Sequence, residues 1–315
     1  MTTVHATADI ADLPGSLRRL WRDAAAAEQG CNLSRALTLN LVVVTDERSE
    51  AATAAMLEAL PDRHPCRAIQ ISLEESAGIL EVDLVGRIRA HGQGRVMAME
   101  RLHLRADPEQ FAKLPNLVRP ILVNDIPTCL FWATELPHSL GRIAALASMA
   151  DRTIVDSALF TGDDWRSLRQ IAHHAPFDLA WLRVAPWRRV LAEAFEHFAW
   201  EPEEPPTSVR IEHSAAMGSL GAARCLEHWL VQKLGADVRL ARVAGDAPCT
   251  EPVRLELRHG PVHIVIQHLT EQALLRTDVT LESHCLLPAH TPTSRGSRAE
   301  LLAAAVDMRA TLGLS

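Results

Sequence analysis

The 315-residue chain has no tyrosine, and only two lysines, Lys113 and Lys233, stand against 30 arginines. Aromatic rings are scarce: seven Trp and six Phe. An arginine excess can arise from genomic composition, so by itself it assigns nothing. No C-x-x-C pair occurs among the six scattered cysteines, Cys31, Cys66, Cys129, Cys225, Cys249 and Cys285. That spacing excludes a zinc ribbon or thioredoxin-like motif and leaves most thiols as small buried hydrophobes in a reducing compartment. No apolar run approaches the roughly 20 residues that span a bilayer. The N-terminal segment MTTVHATADIADLPGSL has neither a basic region nor an apolar core, so no secretory signal is expected. The expectation is a cytoplasmic chain with no membrane partner. Positive charge is also short, with a formal net charge of -7. Nonspecific nucleic-acid binding runs on counterion release by a basic field, so no nucleic-acid partner is expected either.

The familiar motifs of catalysis and cofactor binding are missing. There is no G-x-x-x-x-G-K-[ST], no strand-linked G-x-G-x-x-G and no G-x-S-x-G. Gly92 and Gly94 belong to a hairpin turn, and Gly218-Ser219-Leu220-Gly221 reads as a helix start. His173 and His174 are adjacent and diverge on a helix. His263 and His268 point to opposite faces of a strand, and His284 and Cys285 diverge in the same way. No metal set, no cofactor and no catalytic residue is expected.

What is present is ordinary globular material: 48% hydrophobic and 23% charged residues. At this length a fold hides roughly 75% of its unfolded-chain surface, and two domains are expected. Apolar periodicity predicts helices over 16–29, 49–60, 108–118, 139–149, 163–174 and 186–199. Strands are predicted over 37–45, 66–73, 128–132 and 152–156. Residues 80–89 alternate, with Leu80, Val82, Leu84 and Ile88 on one face and Glu81, Asp83, Arg87 and Arg89 on the other. With a strand over 95–105 they form a hairpin with one solvated face. The mixture implies an α/β N-terminal domain with a mixed sheet over residues 1–200. Glu201-Pro202-Glu203-Glu204-Pro205-Pro206 cannot pack a core and reads as a linker over 201–206. Strands over 208–213, 237–244 and 277–287, a hairpin through 253–266, and helices over 219–234 and 298–312 then imply a smaller domain over 207–315. That domain is expected to be α+β with an antiparallel sheet.

One segment stands out. Trp181, Arg183, Trp187, Arg188 and Arg189 lie within nine residues, and Pro186 marks a helix start among them. Arginines in a first helical turn face the positive end of the helix dipole, which disfavours each by about 0.3–1 kcal/mol. Ala185 is a poor N-cap, so the first N–H groups lack an obvious partner. Three compensations are open: an internal carboxylate such as Asp151, Asp156 or Asp178, a bound anion, or an acidic group of a partner. An internal ion-pair network with the Trp rings as core packing accounts for the same residues. The two carboxylates bracketing Asp151-Arg152-Thr153-Ile154-Val155-Asp156 are able to hold Arg183 or Arg188 in a bidentate fork.

Four segments in order resemble the glucose-6-phosphate dehydrogenase assembly protein family, OpcA. They are Arg63-His64-Pro65-Cys66-Arg67, Asp125-Ile126-Pro127 with Phe131-Trp132, Asp151-Arg152-Thr153-Ile154-Val155-Asp156-Ser157, and Asp178-Leu179-Ala180-Trp181-Leu182-Arg183-Val184-Ala185-Pro186-Trp187-Arg188. The likeness covers roughly residues 37–200 and continues more weakly through 222–235. The family pattern often has two adjacent Trp where this chain has Phe131-Trp132. The resemblance implies a non-catalytic assembly factor or allosteric activator whose partner is glucose-6-phosphate dehydrogenase, at the entry to the oxidative pentose phosphate pathway. On that reading Trp132, Asp151, Arg152, Asp156, Trp181, Arg183, Trp187 and Arg188 are the candidate partner- or anion-binding residues, since Trp and Arg are common interface anchors. The alternative is a sugar-phosphate- or nucleotide-binding α/β enzyme that uses the arginines as an anion site.

Overall fold

The computed structural model describes residues 2–27, 33–35, 37–60, 64–74, 80–91, 94–135, 140–160, 176–196, 205–244, 250–282, 284–293 and 296–308. Outside them lie the expected helix over 163–174, residues 201–204 of the expected linker, Arg63, Gly92, His173, His174, Cys31 and Cys249.

The chain divides into two compact units. The first takes Met1–Val155, Asp163–Phe177 and Arg298–Ser315; the second takes Asp156–Gly162 and Asp178–Ser297. In order, the elements begin β1 (Thr2–Thr7), α1 (Leu13–Ala27), β2 (Leu33–Arg35), β3 (Leu39–Asp46), α2 (Glu47–Ala59) and β4 (Cys66–Leu73). Next come β5 (Leu80–His91), β6 (Gly94–Ala106), α3 (Leu114–Val118), β7 (Thr128–Trp132), α4 (Leu140–Ala147), β8 (Arg152–Val155) and β9 (Phe177–Asp178). The remainder is α5 (Leu179–Arg183), α6 (Ala185–Phe195), β10 (Ser208–His213), α7 (Met217–Leu234), β11 (Val238–Arg242), β12 (Arg254–His259), β13 (Val262–Leu269), β14 (Leu274–Leu281), β15 (His284–Pro292) and α8 (Arg298–Asp307).

The larger sheet has the order β1-β5-β6-β4-β3-β7-β8-β9, with β2 added beside β6. Strands β6, β4, β3, β7 and β8 pair in parallel, while at one side β5 runs against them and pairs antiparallel with both β6 and β1. The mixed α/β sheet expected for this half is therefore present. Leu41, Val43 and Val44 of β3 are fully buried, as are Ile69 and Ile71 of β4 and Phe131 and Trp132 of β7. A strand with apolar residues on both faces fits the middle of a parallel sheet covered on both sides. The polar face of the β5–β6 hairpin is less solvated than its alternation implies. Gln70 of β4 and His103 of β6, register partners on that face, are 1% and 7% exposed.

The smaller sheet has the order β11-β10-β12-β13-β14-β15. It is mixed, not antiparallel: β10 and β11 pair in parallel, and the other neighbours are antiparallel. Alternation along a strand is blind to direction. Here α7 is the long crossover that returns the chain for a parallel pair. Gly235 ends α7 in the left-handed region at φ 60°, with its amide donating to Val231 O at 3.1 Å. The strand expected over 277–287 is two strands, because Glu282 turns the chain at φ 56° between β14 and β15.

The second domain was expected to run to residue 315, but α8 groups with the first unit. It packs on α2 and buries Leu301, Leu302, Ala303 and Ala305.

Candidate functional site

The Trp/Arg segment folds as two short helices in series, α5 and α6. Asp178 caps α5: its Oδ1 accepts the Ala180 N–H at 2.9 Å and the Ser157 N–H at 3.1 Å. Burial pushes the Asp178 carboxyl above its ordinary range, against the pull of those bonds. Asp156 caps the 3-10 turn Ser157–Leu159 in the same way, accepting the Ala158 N–H at 3.2 Å. Gly221 of α7 lets that turn approach: a Cβ there would stand 2.8 Å from Ser157 O.

Arg183 reaches back from α5 to Asp156. Its Nη1 and Nη2 donate to Oδ1 and Oδ2 at 2.5 and 2.9 Å, the fork–fork geometry of a strong ion pair. Asp156 is fully buried and Arg183 is 7% exposed. Burial pulls the guanidinium down, but the Asp156 carboxylate outweighs it and holds the charge on. For Arg183, the internal carboxylate Asp156 is the partner in this conformation.

Helix α6 starts one residue earlier than the Pro186 pattern implies, with Val184 as an N-cap that has no side-chain bond. The backbone makes up part of this, since the Val184 amide donates to Ala180 O at 3.0 Å and Pro186 has no N–H to satisfy. The Arg188 side chain turns back to α5, where its Nη2 donates to Trp181 O at 3.0 Å. Its guanidinium carbon sits 3.4 Å from the Trp181 ring centroid, a cation–π stack. A cation on the last carbonyls of one helix avoids the unfavourable first turn of the next. Both residues are half-buried.

Trp187 is fully buried in the second unit's core with Val184, Val190 and Leu191. Its indole N–H donates to Glu251 Oε2 at 3.1 Å. Glu251 is 6% exposed, and burial pushes its carboxyl up to about 7 despite Trp187 and Arg183 nearby. No sequence pattern pointed to Glu251, a lone acid before Pro252 in a loop. Ser219 at the start of α7 fixes that loop by donating to Glu251 O at 2.6 Å.

The remaining candidates lie in the first unit. Trp132 is fully buried on β7, with its ring N–H donating to Glu135 O at 3.0 Å. Asp151 is exposed, and its Oδ2 accepts the Thr128 N–H at 2.7 Å. Arg152 is half-buried, and its Nη1 donates to Ala305 O and to Val306 O at the end of α8. His64, from the first of the four segments, shares a hydrogen bond with Ala303 O at 3.2 Å on the same helix. Arg67 forms a buried ion pair with Glu100.

Among the described cysteines, burial pushes the Cys66 thiol up to about 12 and Cys129 to about 11, and it raises Cys225 as well. Such thiols carry almost no thiolate at neutral pH and are poor nucleophiles. Cys285 is exposed.

The order β6-β4-β3-β7-β8 reverses at β3, which in doubly wound sheets is where a dinucleotide sits against the turn after the first strand. The residues here do not fit one. That turn is Asp46-Glu47-Arg48-Ser49-Glu50. The Asp46 carboxylate already takes the Ser49 N–H at 2.7 Å and the Thr134 hydroxyl at 2.6 Å. Burial pushes this carboxyl up, but the two bonds outweigh it and keep it below its ordinary value. Asp46, Glu47 and Glu50 fill the helix start with negative charge, where a pyrophosphate needs free N–H groups. Among the described residues no group of three or more His, Cys, Asp or Glu is placed to hold a metal ion.

Comparison with known proteins gives two family matches. The model described as the glucose-6-phosphate dehydrogenase subunit N-terminal domain matches residues 57–173, and its C-terminal counterpart matches residues 175–311. The chain belongs to the OpcA family. Curated relatives named OxPP cycle protein OpcA come from Synechocystis sp. and Synechococcus elongatus. The first is 25% identical over 150 residues, 45% of this chain and 32% of the relative. The second is 25% identical over 195 residues, 58% of this chain and 42% of the relative. The matches thus span less than half the length of these OpcA relatives. Among solved structures, apo levoglucosan dehydrogenase aligns with a TM-score of 0.49 at 11% identity, covering 86% of this chain and 89% of that one. An oxidoreductase domain protein from Kribbella flavida aligns at 0.46 and 10% identity, covering 87% and 88%. No described helix is long and apolar enough to cross a membrane.

Proposed function

We propose that this OpcA-family chain is a non-catalytic partner of glucose-6-phosphate dehydrogenase that assembles or allosterically activates it by direct binding. The observation that carries this reading is the pair of family matches, both described as domains of a subunit of that enzyme and together reaching from residue 57 to residue 311. The acid-filled turn after β3 supports a role outside dinucleotide chemistry. Binding would act by favouring one state of the dehydrogenase, to the extent that the chain binds that state better than the others.

Of the four candidate Trp and Arg residues on α5 and α6, the stacked Trp181 and Arg188 keep exposed surface, while Trp187 and Arg183 are buried. Trp187, Arg183 and Asp156 serve as its interior support. Trp and Arg are the side chains that most often anchor interfaces.

The test mixes the two purified proteins and follows NADPH formation and oligomer size. The expected result is a faster rate, a lower KM or a shifted assembly. A mixture indistinguishable from the dehydrogenase alone in all three would refute the proposal. Trp181→Ala with Arg188→Ala is expected to weaken the effect while the chain still melts cooperatively.

A further inference from the structure

A cavity of about 780 Å³ lies over the polar face of the first unit's sheet. Its floor holds Gln70 from β4 with Arg101 and His103 from β6; α1 contributes Arg19 and Asp23, and α2 contributes Glu50. Gln70 is 1% exposed, yet neither its Nε2 nor its Oε1 has a hydrogen-bond partner. A buried amide left in that state is costly, and a protein retains one where something else supplies the bonds. Arg101 adds two more open donors, since its Nε and Nη1 are buried and unpartnered.

Two other polar groups of the lining are already engaged. His103 and the Ser72 hydroxyl share a hydrogen bond of 2.8 Å. Arg105 lies within ion-pair distance of Glu74 at 3.4 Å, Glu81 at 3.5 Å and Asp83 at 3.3 Å. The buried open capacity is therefore the N–H groups of Arg101 and Gln70 together with one acceptor, the Gln70 carbonyl oxygen.

Charge narrows the guest. Arg19, Arg101 and Arg105 on the lining are matched by Asp23, Glu50 and Asp83. A lining of balanced sign gives no net field to hold a strongly charged anion. Each open group is answered by a hydroxyl, which donates one bond and accepts others.

We infer that this cavity binds a small uncharged polyol, such as a monosaccharide or sugar alcohol, with hydroxyls on the Gln70 amide and on the Arg101 guanidinium. Ala54, Leu84 and Val85 give its carbon skeleton an apolar wall. The site is independent of the dehydrogenase partnership, and its test uses this chain alone.

The full chain is titrated with D-glucose and with sorbitol, and separately with gluconate and inorganic phosphate, followed by saturation-transfer NMR. The neutral polyols are expected to bind with a Kd on the order of 1 mM. Gln70→Leu and Arg101→Met are each expected to weaken that binding about tenfold. The melting temperature of Gln70→Leu should hold or rise, because an unpaired buried amide is gone. Should that variant misfold, Arg101→Met supplies the affinity readout. Three results overturn the inference: no polyol binding, binding of phosphate or gluconate alone, or polyol binding untouched by both substitutions.

Discussion

At the residue scale, the Arg183–Asp156 pair ties α5 to the turn at Ser157. Two fully desolvated charges gain little net stability over apolar replacements, but removing one leaves the other stranded. Arg183→Met should therefore cost about 3–5 kcal/mol. Adding Asp156→Asn keeps an acceptor for the Ala158 N–H while removing the stranded charge, so the double variant should recover most of the loss. Urea midpoints of the three proteins check this, and a double variant no more stable than Arg183→Met would contradict it. Glu251 makes a second prediction, about pH. Its carboxyl titrates near 7 in the folded chain against 4.5 as the ordinary value. The folded state thus binds more protons than the unfolded one between these values, and stability falls as pH rises through that window. Below pH 4.5 the contribution is fully present, and above 7 it is lost. Glu251→Gln keeps an acceptor for the Trp187 N–H and has no proton to lose. Its melting temperature should drop less than the native one between pH 5 and pH 8, and parallel curves would remove Glu251 as the cause. Trp187→Ala should cost about 3–5 kcal/mol, as expected for emptying a fully buried ring site. A near-native melting temperature would contradict the interior placement.

At the element scale, the family segments of the first unit work as grips. His64 and Arg152 come from different segments, and both bond carbonyls in the last turns of α8. A cation there also meets the negative end of the helix dipole. Arg152→Ala should cost about 1 kcal/mol and should speed amide exchange at the end of α8 more than in β3 or β4. Uniform exchange rates would argue against the grip. Elements with a one-signal pattern were legible in the sequence. Strands β4, β7 and β10 have the expected bounds, because apolar or alternating runs end at clear breakers. Strand β1, read only as chain start, is the short mixed run Thr2–Thr7 and pairs with β5 along one row. No periodicity marks such an edge. The parallel β10–β11 pair was equally hidden, since direction depends on the crossover. Within the candidate site the sequence offered Asp151 or Asp156 as a fork for Arg183 or Arg188, and only folding selects the Asp156–Arg183 pair. Glu251 was not legible, because a loop acid gains meaning only from the indole that folding places beside it.

At the scale of the whole molecule, the chain crosses between its two units more than once. Asp156–Gly162 belongs with Asp178–Ser297, and Arg298–Ser315 returns to the first unit. The two family matches meet between residues 173 and 175, a point that separates neither unit cleanly. A fragment of residues 1–174 would keep Asp156 but lose Arg183, and would leave the α2 surface and Arg152 without α8. A fragment of residues 175–315 would carry Arg183 without Asp156, and α8 without the surface that buries Leu301 and Leu302. Each piece therefore exposes an apolar face and strands a charge that the intact chain pairs. Neither should melt cooperatively alone, and each should tend to associate through the uncovered apolar surface. Co-expression should recover soluble material in which the two pieces purify together, because every missing partner of one is present in the other. Differential scanning calorimetry decides the matter. Fragment 1–174 melting cooperatively near the intact chain's transition would show that α8 contributes little to the stability of the first unit.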